Sequence, residues 1–139
     1  MKRPSAVLGF TLVELMAVVL IVAVLTLFAV PSYRQYVLRA HRTEAKTALL
    51  RAAANQERFY LINTEYTDDL TKLGFSIANG AQTEHGRYTL NVELEDDNQA
   101  FTITANAANE MLDDSDCQEF TIDVQGLRGA SPDPHDNCW

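Results

Sequence analysis

The sequence lacks the residue patterns on which enzymes and nucleotide-binding proteins depend. Its three histidines are far apart, at His41, His85 and His135, and no Cys or Ser motif accompanies any of them. Its few glycines form no phosphate-binding loop after an apolar strand, and there is no internal repeat. We therefore predict that the chain is not an enzyme and has no catalytic residue and no cofactor.

Basic residues are scarce in the second half of the chain. Between residues 59 and 139 only Lys72, Arg87 and Arg128 oppose sixteen acidic residues, which gives a net charge of −13. Such a surface repels polyanions, so nucleic acid is not expected as a partner. Residues 32–58 have the opposite balance, with six basic residues against two acidic ones.

One long apolar run lies near the beginning of the 139-residue chain, which leaves room for a single modest domain after it. Residues 15–30 are all apolar except Thr26. Together with residues 10–14 they would form a helix of about 31 Å, enough to cross a bilayer. A secretory signal is cut after its apolar centre, whereas here the small residue Gly9 precedes the run. Cleavage at Gly9 would leave the membrane anchor on the mature protein.

A single carboxylate, Glu14, lies five residues into this run. An acidic side chain at mid-bilayer costs about 2.5–3.5 kcal/mol. A cut after Gly9 would give Phe10 a cationic amine one helical turn from Glu14. Glu14 would then pair with its own amino terminus or with that of a neighbouring subunit. The alternative is a carboxylate that reaches the membrane edge and has no function.

The segment around the predicted cut resembles the class III leader of type IV prepilins. It consists of Lys2 and Arg3, a short spacer, and the run GFTLVEL at residues 9–15 that opens a long apolar helix. The resemblance implies that a prepilin peptidase cuts between Gly9 and Phe10 and methylates the Phe10 amine. It also implies that Glu14 serves peptidase recognition and assembly. Methylation keeps the positive charge, so the pairing with Glu14 survives it.

The second half of the predicted helix begins at Pro31, which removes a backbone donor and predicts a kink or local unwinding. The type IV pilins that the sequence resembles have a proline at the corresponding place. After Pro31, six residues recur at helical spacing and predict one face that packs on a sheet. They are Leu38, Ala45, Leu49, Ala52, Gln56 and Phe59.

Basic residues are predicted on the other side of this helix. They are Arg39, Arg42, Lys46 and Arg51. They form either an ordinary solvated surface or a face that attracts the acidic heads of neighbouring subunits.

Three alternating apolar runs predict antiparallel strands, beginning at Tyr88, Phe101 and Phe120, with a polar hairpin turn at residues 95–99. The predicted fold is α+β, a long N-terminal helix packed on a small antiparallel sheet. The predicted segments are a cleaved leader at 1–9, a transmembrane and assembly helix at 10–30, an amphipathic helix at 31–62, an αβ-loop at 63–87, and the sheet with its C-terminal region at 88–139.

Cys117 and Cys138 are predicted to form a disulfide, because the apolar span would deliver them outside the cytoplasm. The bridge would close about 22 residues and stabilise the fold by about 3 kcal/mol. A C-terminal disulfide loop of this kind resembles the D-region of type IV pilins. The closing Cys138-Trp139 and the Phe59-Tyr60 pair are more similar to PilE-type minor pilins.

An acidic cluster precedes the last predicted strand and consists of Asp113, Asp114, Asp116 and Glu119. Its oxygens would suit a hard cation such as Ca²⁺. Its spacing is not that of a defined calcium loop, so we interpret it as a solvated acidic loop and predict no metal site.

The resemblance implies a structural subunit of a type IV pilus, a minor pilin that supports pilus assembly, twitching motility and adhesion. Its implied partners are other pilin subunits, the prepilin peptidase, the inner-membrane assembly machinery and the membrane. The alternatives are a type II secretion pseudopilin, whose leader would be identical, and a pilin-like DNA-uptake receptor, which the acidic head disfavours.

The implied location is the bacterial inner membrane before assembly, with the amino terminus cytoplasmic and the head periplasmic, and the extracellular pilus afterwards. Charge bias alone favours the opposite orientation, because Arg34, Arg39 and Arg42 closely follow the span. The predicted orientation therefore depends on the peptidase motif and the disulfide.

Overall fold

The computed structural model describes residues 10–78, 80–132 and 138–139. The chain divides into two compact units between Tyr36 and Val37, called here the N-terminal unit and the head. The elements in chain order are helix α1 (Leu12–Asn63), strand β1 (Tyr88–Glu95), strand β2 (Ala100–Ala107), a short 3-10 helix η1 (Asn109–Asp113), strand β3 (Cys117–Asp123) and strand β4 (Arg128–Pro132).

In the N-terminal unit the apolar side chains of α1 face outward. Their exposed fractions run from 47% at Val24 to 79% at Phe10, just before the helix begins. By length and composition α1 could cross a membrane. The helix continues without interruption through Pro31, so the predicted local unwinding is not observed. A bend at Pro31 stays a prediction.

In the head, the helical face predicted from spacing forms the centre of the core. Ala45, Leu49, Ala52 and Gln56 are completely buried, and the outer members of the face are partly buried. The prediction of this face is confirmed.

The sheet is antiparallel, in the order β1-β2-β3-β4. Its inward residues alternate with exposed polar ones, as a half-buried sheet requires. Tyr88, Phe101 and Phe120 are buried at 0–1% exposure, and each lies on a different strand. The three predicted strands are therefore confirmed.

The fourth strand was not predicted, because only three alternating apolar runs were found and the chain after them was assigned to the C-terminal region. Strand β4 pairs with β3, with Phe120 opposite Ala130 and Ile122 opposite Arg128. Its sequence, RGASP, has no β-branched or aromatic residue, and propensity therefore does not predict it. It forms at the sheet edge, where a proline such as Pro132 is tolerated.

The connection between α1 and β1 is fixed to the sheet edge. The Thr83 amide donates to the Tyr88 carbonyl at 2.8 Å, and the Leu90 amide donates to the Ala81 carbonyl at 2.9 Å. Buried Leu70 and Leu73 attach the earlier part of this connection to the core.

Candidate functional site

The first turn of α1 is built by a capping residue at the predicted cut. The hydroxyl oxygen of Thr11 accepts a hydrogen bond from the Glu14 amide at 3.2 Å, and the Leu15 amide donates to the Thr11 carbonyl at 3.1 Å. This is half of a capping box, in which a hydroxyl residue precedes an acidic one by three positions. The spacing of Thr11 and Glu14 is a sequence signal that could have predicted this helix start. It places the start of the helix immediately after Phe10, the predicted new amino terminus.

The Glu14 carboxylate is exposed on an apolar helix surface. No hydrogen bond or ion pair reaches it from residues 10–78, 80–132 or 138–139. The helix dipole favours a negative charge in this first turn, though by at most about 1 kcal/mol at an exposed site. The carboxylate is therefore available to a cation from outside the described chain. Gly9 lies outside the described residues, so the predicted cleavage site stays a prediction.

The head, in contrast, contains a buried ion pair between α1 and the segment after η1. Arg42 donates from Nε and Nη2 to the two carboxylate oxygens of Asp114, each at 2.7 Å. The side chains are only 3% and 1% exposed. The hydrogen bond to Asp114 is the main cause that raises the pKa of Arg42, so this guanidinium stays charged.

Two predictions about these residues are wrong. Arg42 is not part of a solvated or intersubunit basic face, because it points into the head. Asp114 is not part of a solvated acidic loop, because it neutralises Arg42. The spacing did contain the signal: position 42 is four residues after Leu38 and three before Ala45, on the apolar face itself.

The predicted disulfide between Cys117 and Cys138 is confirmed. Both cysteines are completely buried, and their Cα atoms are 5.7 Å apart. The neighbouring Trp139 indole donates to the Gly129 carbonyl at 2.6 Å and packs edge-on against Phe120. Together these contacts attach the C-terminal residues to β3 and β4.

A second charged cluster lies where α1 meets the start of β1. Arg87 donates to Glu44 at 2.9 Å and also to Glu110 of η1. The His85 amide donates to Glu44 at 3.0 Å. Burial alone would raise the pKa of Glu44, but hydrogen bonds from Thr83, Arg87 and the His85 amide lower it overall.

Two of the three histidines lie beside this cluster. His85 Nδ1 is 3.4 Å from Glu44, and His41 Nδ1 is 3.7 Å from Glu110. His135 lies outside the described residues. The described parts of the chain contain no group of three His, Cys, Asp or Glu side chains placed to hold a metal ion.

The fold is similar to a solved structure described as a type IV pilin from Shewanella oneidensis. The TM-score is 0.52 at 26% sequence identity, over 73% of this chain and 97% of that one. A family profile described as "Type IV minor pilin ComP, DNA uptake sequence receptor" matches residues 31–121. That match begins after the apolar run, so it is independent of the leader motif.

Curated relatives give the same family. The chain is 33% identical to the type IV major pilin protein PilE of Neisseria gonorrhoeae over 101 residues, which are 73% of this chain and 58% of that protein. It is 36% identical to the type IV major pilin protein PilA of Myxococcus xanthus over 72 residues, 52% of this chain and 33% of that protein. The chain thus spans between a third and three fifths of the length of these relatives.

A long N-terminal helix, an antiparallel sheet of four strands and a C-terminal disulfide are the architecture of a type IV pilin. The chain belongs to the type IV pilin family. Membership in this family makes it a structural subunit and not an enzyme, as the sequence predicted. The matching profile describes a minor pilin, whereas the relatives PilE and PilA are named major pilins.

Proposed function

We propose that this chain is a minor subunit of a type IV pilus that is cut between Gly9 and Phe10 and assembled through its N-terminal helix. One observation carries the proposal: the Glu14 carboxylate has no partner in the described chain, although it lies on an exposed apolar helix. The new Phe10 amine, methylated and still cationic, would stand one turn away and supply that partner. Pairing between subunits would set the axial register of neighbouring helices.

The geometry of the helix start supports this assignment. Thr11 caps α1, so a chain that begins at Phe10 loses no helical residue. Phe10 is 79% exposed, and its amino group would be accessible to a methyltransferase and to a neighbouring carboxylate.

The proposed function also implies a location. The chain is anchored in the bacterial inner membrane with its head in the periplasm, and it moves to the extracellular pilus on assembly. Twitching motility and adhesion are the processes that such a pilus would serve.

Mass spectrometry of the chain isolated from membranes tests the processing step. The proposal predicts a mature protein that begins at Phe10 and carries one additional methyl group. Gly9→Val should keep residues 1–9, whereas the matched leader substitution Ala6→Val should still be cut. A mature wild-type chain that retains its first nine residues would contradict the proposal.

A second candidate function is that of a DNA-uptake receptor, which the description of the matching family profile favours. Binding to duplex DNA depends on cations that neutralise phosphates and therefore weakens steeply with salt. The net charge of −13 between residues 59 and 139 opposes such binding. Retention of the full-length, detergent-solubilised chain on duplex DNA, lost as salt rises, would favour this function; the absence of retention at low salt would exclude it.

A further inference from the structure

Three cations of the head surround the backbone of Gly74 and are called here the cationic strip: Arg51, Arg58 and Lys72. Arg51 donates to the Gly74 carbonyl at 3.1 Å and lies over the Phe75 ring at 5.0 Å. Lys72 lies over the Phe59 ring at 5.7 Å. All three residues are exposed. Aromatic rings therefore hold two of the three cations in place while their charges face solvent.

None of the three cations has a carboxylate partner within ion-pair distance in the described chain. This differs from Arg42 and Arg87, which are each held by carboxylates of the head. Asp69 is the nearest acidic residue along the chain to Lys72. Hydrogen bonds from Thr71 are the main cause that lowers its pKa, and the charge of Lys72 lowers it further without an ion pair. The three cations therefore form a positive patch on a head that carries many acidic residues, and such a patch attracts anions.

Two open grooves meet at this strip. The larger, of about 650 Å³, runs between α1 and the following loop and is lined by Arg51, Gly74 and Phe75 among others. The smaller, of about 240 Å³, is lined by Arg58, Lys72 and Gly74 among others. The strip therefore borders a concave surface that can receive a protruding segment.

A complementary surface lies on the first hairpin of the sheet. Four exposed acidic residues, called here the acidic hairpin, lie at the end of β1 and in the turn after it: Glu93, Glu95, Asp96 and Asp97. Within the described residues no Lys, Arg or His lies within ion-pair distance of them. Asp96, Asp97 and Asn98 all have positive φ, a conformation that Asp and Asn tolerate and that fixes the turn.

We propose that the cationic strip of one copy of this chain binds the acidic hairpin of a second copy. The inference rests on the proposed function, since it names the head contact that would accompany helix packing in a filament. Both surfaces belong to one chain and differ from each other, so the contact is heterologous, and it would form wherever two copies are neighbours in a filament. The opposite charges favour one orientation and speed the encounter.

Charge complementarity favours a second copy over nucleic acid as the occupant of the strip. Duplex DNA is a long, uniform polyanion, and specific binding typically uses many phosphate contacts. Three cations supply few of these, and the acidic remainder of the head would repel the flanking phosphates. The acidic hairpin instead presents four exposed carboxylates within residues 93–97, a short anionic segment of a size that three cations can face.

Zero-length carbodiimide cross-linking tests directly whether the cationic strip of one copy contacts the acidic hairpin of another. Full-length chains with ¹⁴N and with ¹⁵N are mixed in detergent, cross-linked and digested. The proposal predicts peptides that join Lys72 of one isotope to residues 93–97 of the other. Their absence, with Lys72 modified only within its own chain, would overturn the proposal.

Charge reversal in cells tests the contact in filaments. Arg58→Glu with Lys72→Glu should lower the amount of the chain in sheared filaments by about tenfold, the effect of losing one close charge pair. Adding Asp96→Lys and Asp97→Lys should restore it to within about threefold, because the reversed surfaces are again complementary. Arg39→Glu with Arg128→Glu, which changes net charge equally outside the strip, should have little effect. The proposal would be overturned if the strip variant were incorporated as well as wild type. The same holds if that variant lost only its retention on duplex DNA.

Failure of this contact is distinguishable from failure of the proposed function. If the wild-type chain is absent from filaments, the proposed function fails, while the mixed-isotope cross-link still decides the head contact. If Glu14→Ala prevents incorporation but the strip variant assembles normally, only the head contact is wrong. Equal unfolding midpoints of the two double variants would exclude misfolding as the cause.

Discussion

Arg42 and Asp114 lie buried in the head with two short hydrogen bonds between them, whereas Glu14 lies on exposed apolar surface in the N-terminal unit with no partner in the described chain. A buried charge without a partner costs several kcal/mol, and the head avoids this cost by supplying the partner itself. The N-terminal unit does not. A charge that is satisfied within the chain serves the fold, and a charge that is left for another molecule serves assembly. The predictions below test this division.

The largest effect on the head is expected from removing one member of the buried pair. Asp114→Ala would leave the Arg42 guanidinium buried without its carboxylate and should lower the free energy of unfolding by about 3–5 kcal/mol. Urea unfolding of the full chain in detergent, followed by the fluorescence of its single tryptophan, Trp139, measures this change. The apolar pair Arg42→Met with Asp114→Leu should cost far less. If Asp114→Ala costs under about 1 kcal/mol, the pair is not what holds α1 to this segment.

The next effect is expected from the disulfide. Replacing Cys117 and Cys138 together by Ser should lower the free energy of unfolding by about 3 kcal/mol, because the unfolded chain is no longer closed into a loop. Reduction of the wild-type chain should reproduce the loss, and reductant should not affect the double variant. Equal unfolding midpoints for reduced and oxidised wild type would contradict this account.

A smaller effect is expected at a buried amide on the sheet-facing side of α1. Gln56 donates to the Thr67 carbonyl at 2.6 Å and accepts from the Thr67 amide at 3.1 Å. Gln56→Ala leaves both buried backbone groups unsatisfied and should cost about 2 kcal/mol. The matched change Gln35→Ala, on exposed helix in the N-terminal unit, should stay within about 0.5 kcal/mol. Similar costs at both positions would remove the distinction between the two units.

The smallest effect is expected at Glu44 and depends on pH. Its pKa in the head is lowered from 4.5, so the folded state binds fewer protons than the unfolded state. The stabilisation that ionised Glu44 gives the fold is complete above about pH 4.5. It is lost as the pH falls through the lower pKa that Glu44 has in the folded state. Glu44→Gln should therefore lower stability by about 1 kcal/mol at pH 7 and by less at pH 3. A difference that grows on acidification would contradict the assignment.

Sequence patterns predicted the parts of this fold that depend on regular spacing. The helical face from Ala45 to Gln56 and the alternating strands at Tyr88, Phe101 and Phe120 were found because burial on one side imposes a period. The pairing of Cys117 with Cys138 followed from the count of cysteines and their predicted compartment.

The missed features depend on contacts between residues distant in sequence. Arg42 was assigned to a basic surface because its partner, Asp114, is 72 residues away. Strand β4 was missed because its residues have little strand propensity, and it forms where the disulfide and the Trp139 contact to Gly129 hold the chain against β3. The cleavage and methylation at Gly9 and Phe10 stay predictions from the leader motif.

Incorporation of Glu14→Ala into sheared filaments, measured by quantitative mass spectrometry against wild type, tests the division between the two units most directly. The account predicts at least about a tenfold loss of the variant from filaments, because the Phe10 amine of a neighbouring subunit loses its partner in an apolar surrounding. It also predicts that the head of the variant unfolds at the wild-type urea concentration. Incorporation equal to wild type would contradict it.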